Sequence, residues 1–199
     1  MSGQVILLSG GVDSAALAAL VRPDHAIAID YGQVCARAEI TAAEAVAAAL
    51  RLPLSIVRAD CSTLGSGDLG GRVPLAGIAP SREWWPYRNQ LLATLAAHEA
   101  IRLGLRELVF ATVLTDGFHA DGTPEFFRHL DTLIRYQEGR VGVSAPAIDL
   151  TSVELVRRAG VGADLLGWTH SCHVGNAACG LCRGCLKRLA VLKEAGLWP

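Results

Sequence analysis

The sequence predicts an α/β fold in which a parallel sheet carries helices on both faces, in a Rossmann-like arrangement. First, short apolar segments alternate along the chain with longer, Ala-rich segments of helical length. Second, a Gly-Gly turn separates the first apolar segment from the first helical one. Third, 51% of the residues are hydrophobic and 19% are charged, which supplies enough apolar surface for a buried core. Alternation of strand and helix at this spacing is typical of parallel sheets covered on both sides.

The predicted elements follow in regular order. A strand at Val5–Leu8 precedes a helix at Ser14–Leu20. The alternation continues with a strand, a helix and a strand and, after a break, with a helix and a strand, at Ala26–Ile29, Arg37–Leu50, Leu54–Val57, Asn89–Leu103 and Glu107–Thr112. In folds of this type ligands bind beyond the carboxyl ends of the strands, so we expect the functional site at that edge.

The break in the alternation is a Gly- and Pro-rich segment, Asp60–Arg82, without apolar periodicity. Long loops inside a compact domain are usually lids or binding loops, and we interpret this segment as such a loop. A further helix is predicted over Pro124–Glu138, where Pro occupies a first-turn position. The sequence shows no repeat, low-complexity segment or linker, so we expect residues 1–199 to form a single domain.

The charge and the N-terminus argue against several classes of partner. The formal net charge is −1, so the chain has no general basic field for nucleic acid, although a local basic patch would be compatible with a tRNA. Met1–Gln4 contains neither a positively charged region nor a cleavage-type site, so no signal peptide is expected. No apolar run reaches the roughly 18 residues that a membrane span needs. We expect a soluble, cytoplasmic protein that does not bind membranes.

A phosphate-binding motif follows the first predicted strand and reads Ser-Gly-Gly-Val-Asp-Ser. At a helix start, free backbone N–H groups and the helix dipole attract phosphate, and two glycines let the backbone approach the anion. Asp13 is suited to hold Mg²⁺ or to brace the loop. The alternative is a structural Gly-Gly turn with an Asp-Ser cap, but the order of strand, motif and helix favours phosphate binding. The predicted phosphate-binding residues are Ser9, Gly10, Gly11, Val12, Asp13 and Ser14.

The loop lacks the Gly-Lys-Ser/Thr of a Walker motif, which argues against transfer of a γ-phosphoryl group. Of the 18 basic residues only Lys187 and Lys193 are lysines. Any phosphate clamp away from the C-terminus would therefore have to use Arg or backbone amides.

A metal site is predicted near the C-terminus, where four of the six cysteines follow the pattern C-x6-C-x2-C-x2-C. Four thiolates at this spacing suit tetrahedral zinc, and four protein ligands close the site, which indicates a structural metal. An iron–sulfur cluster and disulfides are the alternatives, and His170 or His173 could replace a cysteine. Cys35 and Cys61 are interpreted as ordinary small side chains. The predicted zinc module spans residues 171–188, with the ligands Cys172, Cys179, Cys182 and Cys185.

The phosphate loop at one end and the cysteine cluster at the other resemble the 7-cyano-7-deazaguanine synthase (QueC-like) family of N-type ATP pyrophosphatases. The resemblance covers nearly the whole chain and is carried further by Asp30–Gln33, Ala38–Glu39, Arg88–Asn89, Thr115–Asp116, Asp121, Glu125–Phe126, Ala145–Pro146, Glu154 and Ser171–Arg188. It implies an adenine nucleotide alpha hydrolase-like fold, the cofactors ATP, Mg²⁺ and Zn²⁺, a small deazapurine substrate and a homodimer.

The resemblance also implies a reaction. The family adenylates the carboxylate of 7-carboxy-7-deazaguanine, lets ammonia displace AMP to give an amide, and uses a second ATP to form the nitrile. The predicted catalytic residues are Asp13, Ser14 and Arg88. The predicted substrate-binding residues are Tyr31, Gln33, Arg88, Asn89, Thr115, Asp116 and Asp121. The aromatic residues that either stack on a ring or pack in the core are Trp84, Trp85 and Tyr87. Because the loop is expected at a surface helix start, replacing Asp13, or Gly10 by a larger residue, should abolish AMP formation with the fold intact.

The chain departs from the family pattern at Ser152, where a lysine is usual, and over His119–Thr123. Without that lysine, the charge for the ATP phosphates would come from Arg88, Arg72 or Arg82. We therefore expect the amide to form more readily than the nitrile, since the second step depends more on positioning and phosphate charge. The alternatives are ligation to another amine, such as a protein amine in antiphage defence, a tRNA-modifying ATP pyrophosphatase, and an inactive nucleotide-binding subunit.

Overall fold

The computed structural model describes residues 3–198, and its centre is a five-stranded parallel sheet in the order β3-β2-β1-β4-β5. The strands are β1 Gln4–Leu7, β2 His25–Asp30, β3 Leu54–Arg58, β4 Glu107–Val109 and β5 Gly142–Ser144. Successive strands are added outward from β1 on one side and then from β4 on the other. The strand order therefore reverses between β1 and β4, and such a switch point opens a crevice beyond the carboxyl ends of the strands.

Eight α-helices within the described residues connect and cover the strands. They are α1 Val12–Val21, α2 Ala36–Leu50, α3 Gly67–Gly70, α4 Arg88–Arg102, α5 Pro124–Tyr136, α6 Ser152–Ala159, α7 Ala163–Leu166 and α8 Arg183–Glu194. Helices α1, α2, α6, α7 and α8 contribute to the core on one face of the sheet, and α4 and α5 to the core on the other. The predicted parallel sheet with helices on both faces is confirmed.

The pleat of β1 explains why both faces are apolar. Successive side chains of a strand point to opposite faces of the sheet. Val5 belongs to the core beneath α4 and α5, whereas Ile6 belongs to the core beneath α1, and both side chains are fully buried. A central parallel strand therefore reads as a continuous apolar run rather than as an alternating one.

The predicted strands and helices are present, with ends that differ by a few residues. The largest difference is in β4, which ends at Val109 rather than at Thr112, although Phe110 N still donates to Ser144 O at 2.8 Å. The predicted loop Asp60–Arg82 contains two short helical turns, the 3-10 turn Ser62–Leu64 and α3.

Strand β5 and helices α6 and α7 were not predicted from the sequence. Strand β5 is three residues long, too short to show a periodicity. Helix α6 carried a signal that was available, because Thr151 and Glu154 form a capping box: Thr151 N donates to Glu154 Oε2 at 2.8 Å, and Glu154 N donates to Thr151 Oγ1 at 3.2 Å.

Across residues 3–198, no helix combines the length and the apolar character that crossing a membrane requires. Met1 and Ser2, which belong to the segment expected to lack a signal peptide, lie outside the described residues, as does Pro199.

Candidate nucleotide and metal site

The phosphate loop connects β1 to α1 at the carboxyl edge of the sheet. Gly11 is the N-cap of α1, and no described side chain caps it, so the first N–H groups of the helix are available to an anion. Two hydroxyl groups lie beside these donors: Ser9 Oγ accepts from Gly11 N at 3.3 Å and lies 3.2 Å from Ser14 Oγ, which donates to Gly11 O at 3.0 Å. The sequence motif thus adopts the geometry of an anion cradle.

Gly10 plays a different part from its neighbours in the loop. Its φ is +77°, a left-handed conformation that glycine adopts without cost. A Cβ at this position would lie 2.6 Å from the backbone oxygen of Glu39 and 2.7 Å from the Cβ of Ala42. Gly10 is buried against α2 and does not line the cleft described below. The expectation that a larger residue at Gly10 would leave the fold intact is therefore wrong, because the loop packs on a helix backbone at this point.

Two adjoining compartments open beside the loop. The first, which we call the loop cleft, has a volume of about 290 Å³ and is lined by the phosphate loop, the ends of β1 and β2, the start of α4, and α8. The second, the module pocket, has a volume of about 350 Å³ and is lined by residues 83–85 and by the metal module. They share Arg88, Asp116, His119, Asp121, His173, Gly184 and Lys187. The two compartments thus form one continuous site.

The predicted residues fall on this site with two exceptions. The loop cleft is lined by Ser9, Gly11, Val12, Asp13, Ser14, Tyr31, Arg88, Asn89, Asp116 and Asp121, and Thr115 lines the module pocket. Gly10 is one exception. Gln33 is the other: it is buried, accepts from Tyr31 N at 2.9 Å and donates to Glu39 Oε2 at 2.7 Å. Gln33 therefore positions Glu39, which does line the loop cleft.

Lys187 is a site residue that the sequence analysis missed. Its Nζ donates to Asp13 Oδ2 at 2.9 Å and to Asp116 Oδ1 at 3.3 Å. Burial lowers the pKa of Lys187, but the two carboxylates more than offset this effect and hold the pKa above its usual value. The rarity of lysine in this chain and the position of Lys187 two residues after Cys185 were the available signals.

The arginines expected on the long loop do not reach the site. Arg72 donates to Thr63 O at 3.2 Å, and Arg82 pairs with Asp68 at 3.5 Å while its side chain is 83% exposed. Neither lines the loop cleft or the module pocket. The expectation that they supply phosphate charge is not supported, because the loop carries them outward.

Arg88 and its neighbour Asn89 form the start of α4 on the wall of the loop cleft. Burial lowers the pKa of Arg88, but Tyr31, Asp121 and other acidic neighbours raise it above its usual value, so the guanidinium stays charged. Asp121 accepts from Asn89 N through Oδ2 at 3.2 Å, and Asn89 Nδ2 donates to Asp121 O at 2.7 Å. Asp121 therefore also anchors the start of this helix, which has no other side-chain cap among the described residues.

The aromatic residues divide between the core and the site. Trp85 also borders the module pocket, but it is 2% exposed and packs edge-on against Tyr31 with ring centroids 4.9 Å apart, so it is mainly a core residue. Trp84 is half-buried and lines the module pocket. Tyr87 is 78% exposed and lines neither compartment. Of the three, Trp84 is placed to stack on a ligand ring.

The four predicted metal ligands converge on one point. The sulfur atoms of Cys172, Cys179, Cys182 and Cys185 all lie within 4.8 Å of one another. The Cys179–Cys185 and Cys172–Cys182 sulfur pairs are 3.9 and 4.0 Å apart. Tetrahedral zinc with bonds of about 2.3 Å separates its sulfur ligands by about 3.8 Å, whereas a disulfide bond is about 2.05 Å long. The arrangement fits a tetrahedral metal and excludes disulfides.

Backbone donors support the thiolates. Leu181 N and Cys182 N donate to Cys179 Sγ at 3.4 and 3.3 Å, and these donors lower the pKa of Cys179 to about 6. His173 N donates to Cys182 Sγ at 3.4 Å. The rings of His170 and His173 are outside the ligand group, and both residues line the loop cleft instead.

The metal module is packed closely against the rest of the site. A Cβ at Gly184 would lie 1.9 Å from Ser171 O and 2.6 Å from His173 Nε2, so the first turn of α8 contacts the module backbone directly. Arg183 NH1 donates to Glu83 Oε1 at 2.7 Å and joins the module to the wall of the pocket. The module is therefore a wall of the site as well as a metal centre.

The parallel sheet, the uncapped helix start beside it and the closed four-sulfur centre define the class: a nucleotide-binding α/β protein with a structural metal module. Residues 3–196 match the family model described as queuosine biosynthesis protein QueC. The chain belongs to the QueC family.

Several proteins named 7-cyano-7-deazaguanine synthase are identical to this chain at about a third of the aligned positions. The 7-cyano-7-deazaguanine synthase of Ralstonia pickettii is 34% identical over 97% of this chain and 95% of its own length. The protein of the same name from Archaeoglobus fulgidus is 34% identical over 97% and 87%, and that from Nitrosospira multiformis is 30% identical over 96% and 90%. Among solved structures, NMN synthetase from Francisella tularensis aligns with a TM-score of 0.48 and 15% identity, over 98% of this chain and 84% of that one.

Proposed function

We propose that this protein is an ATP-dependent 7-cyano-7-deazaguanine synthase that converts 7-carboxy-7-deazaguanine first to the amide and then to the nitrile. Membership of the QueC family supports this proposal at full length. The observation that carries it is the continuous site, in which an uncapped helix start and the ammonium group of Lys187 lie beside a second compartment large enough for a small ring system.

The loop cleft is proposed to take ATP. The N–H groups of α1 and the hydroxyls of Ser9 and Ser14 would hold the pyrophosphate half, because they face a concave space at a helix start. Asp13 Oδ1 is buried and has no hydrogen-bond partner among residues 3–198, which leaves a carboxylate oxygen free for a cation. Asp13 and Asp116 are thus the residues that fit Mg²⁺, which would neutralise phosphate charge when bound.

The module pocket is proposed to take the deazapurine acid. Trp84 offers an aromatic face, and Asp116 and Asp121 offer acceptors for the ring N–H and the exocyclic amine. His119 Nδ1 is buried without a partner among the described residues and offers a further polar contact. The acid would then lie beside the shared residues, within reach of the α-phosphate.

The chemistry proceeds by displacement at phosphorus and then at carbon. A carboxylate oxygen attacks the α-phosphorus, the bond to the β-phosphate bridging oxygen breaks, and pyrophosphate leaves. Ammonia then attacks the acyl carbon, AMP leaves with the former carboxylate oxygen, and nitrogen loses a proton to give the amide. In the second cycle the amide oxygen is adenylated, and loss of AMP and the remaining protons gives the nitrile. The site residues bind both reactants and orient them for the in-line attack.

The expectation that the amide forms more readily than the nitrile rested on Ser152 and on His119–Thr123. Ser152 is 4% exposed at the start of α6 and lines neither compartment. Lys187 supplies a lysine in the loop cleft from another part of the chain. Both adenylations therefore have a cation available, and we propose the nitrile as the end product.

The remaining features of the proposal are a zinc-loaded module, one domain over residues 1–199, a cytoplasmic location and a homodimer. The sulfur geometry supports zinc. Neither compartment is lined by a basic surface of the size that a tRNA needs, so a small-molecule substrate is favoured.

Mass spectrometry of reactions with 7-carboxy-7-deazaguanine, ATP and ammonia tests the proposal. We expect the nitrile, with AMP and pyrophosphate formed in proportion. Asp13→Ala should abolish AMP formation, and Asp149→Ala, at an exposed position outside both compartments, serves as the matched control. Absence of AMP in the wild-type reaction would contradict the assignment as an ATP-dependent enzyme. Accumulation of the amide without the nitrile would contradict the proposed conversion of the amide to the nitrile.

A further inference from the structure

Lys187 lies where the metal module meets the phosphate loop. Its Nζ contacts Asp13 Oδ2 at 2.9 Å, and Asp13 belongs to the loop at the start of α1. It also contacts Asp116 Oδ1 at 3.3 Å, and Asp116 lines both compartments. The side chain is 35% exposed and lines both compartments. The ammonium group is therefore held in the site between two carboxylates and still faces the open space.

The two arginines that line the loop cleft are placed differently from Lys187. Arg188 donates to Thr169 Oγ1 at 2.9 Å and to Leu166 O at 3.1 Å, so it holds the backbone before the module. Arg88 has Tyr31 and Asp121 as its main electrostatic neighbours, at the start of α4. Among the salt bridges within residues 3–198, the one that reaches the phosphate loop is that of Lys187.

We infer that Lys187 is the cation that binds the pyrophosphate half of ATP; this inference rests on the proposed function. An ammonium group carries three N–H donors. Two are directed at Asp13 and Asp116, and the third is left for a phosphate oxygen at the helix start. The two carboxylates neutralise the ammonium, and phosphate oxygens of a bound ATP would join them as its partners. A lysine is a compact point charge suited to such a position.

This assignment gives the metal module a direct part in nucleotide binding. Cys185 and Lys187 lie in the first turns of the same helix, α8, so the four-sulfur centre fixes the helix that carries the lysine. The contact joins residues 174 positions apart in the chain. The module thus positions a binding residue as well as stabilising the fold.

Binding measurements on the full-length, zinc-loaded protein test the inference. Isothermal titration would give the affinities for inorganic pyrophosphate, for α,β-methylene-ATP and for AMP, all with Mg²⁺. The variants are Lys187→Gln, which keeps a donor without the charge, and Lys187→Met. Lys193→Met is the control, because Lys193 is exposed on the same helix and lines neither compartment. Zinc per chain is measured on every variant.

Both Lys187 variants should lose about 10- to 100-fold in affinity for pyrophosphate and α,β-methylene-ATP, since a hydrogen bond to a charged group is worth about that factor. AMP affinity and zinc content should match the control. Pyrophosphate affinity equal to that of the control would overturn the inference. So would an equal loss of AMP affinity, or a loss of zinc in both variants, since either makes the lysine structural. None of these measurements uses the deazaguanine acid, so a wrong substrate assignment leaves them unaffected.

Discussion

Replacing Gly10 with alanine tests the claim that the phosphate loop is packed on α2. The residue has φ +77°, and the new Cβ would lie 2.6 Å from Glu39 O and 2.7 Å from the Cβ of Ala42. Neither neighbour is the end of a flexible side chain, so the loop or the helix has to move.

The substitution lowers the free energy of unfolding through two effects that can be separated. A non-glycine residue in the left-handed conformation costs about 1–2 kcal/mol. Forcing a methyl group into packed backbone costs about 1–3 kcal/mol more. The Gly10→Ala variant should therefore lose about 2–5 kcal/mol of unfolding free energy, a large part of the roughly 5–15 kcal/mol typical of a native protein.

Gly104→Ala is the matched control for this measurement. Gly104 has nearly the same conformation, φ +73°, but a Cβ there meets no atom within 4 Å. It should lose only the conformational part, about 1–2 kcal/mol. Urea unfolding followed by circular dichroism gives both values. Equal destabilisation of the two variants would refute the packing argument and would mean that Gly10 lies in a surface loop that does not pack on α2.

Three further predictions concern the metal, a half-buried carboxyl and a buried thiol. Metal analysis should find about one zinc per chain, and Cys182→Ser should lower both the zinc content and the solubility, because a site with three thiolates loses much of its affinity; an iron chromophore or absence of zinc would contradict this. Burial raises the pKa of Glu39 above its ordinary value of 4.5, because the folded protein favours the neutral carboxyl group. The stabilisation from this preference is fully present below pH 4.5 and is lost as the pH rises through the raised pKa. As the pH rises from 4.5 through the raised pKa, the unfolding free energy of the wild type should therefore fall relative to that of Glu39→Gln. If urea titrations gave the same difference in unfolding free energy at every pH, the pKa shift would be disproved. Burial also raises the pKa of Cys35, whose side chain is fully buried, so iodoacetamide should label the half-buried Cys61 of the native protein before Cys35, as peptide mass spectrometry would show.

Local sequence determined the parts of this protein whose cause is local. The phosphate loop was predictable because a strand, two glycines and a helix start follow one another within a few residues. The cysteine ligands were predictable because four cysteines separated by only a few residues can bind one metal ion without help from distant parts of the chain. The alternation of short apolar segments with longer helical ones predicted the parallel sheet with covered faces, since that order is visible along the chain itself.

The tertiary structure alone decided which distant residues meet. Lys187 reaches Asp13 across 174 positions, and no local pattern relates the two. Gly10 and Gly11 are identical neighbours in the sequence, yet one is buried against α2 and the other lines the loop cleft. Ser152 stands where a family lysine was expected, but it is buried away from the site. In each case the outcome depends on how helices pack over the sheet, and packing is set by the shape of the whole core rather than by a segment's own propensity.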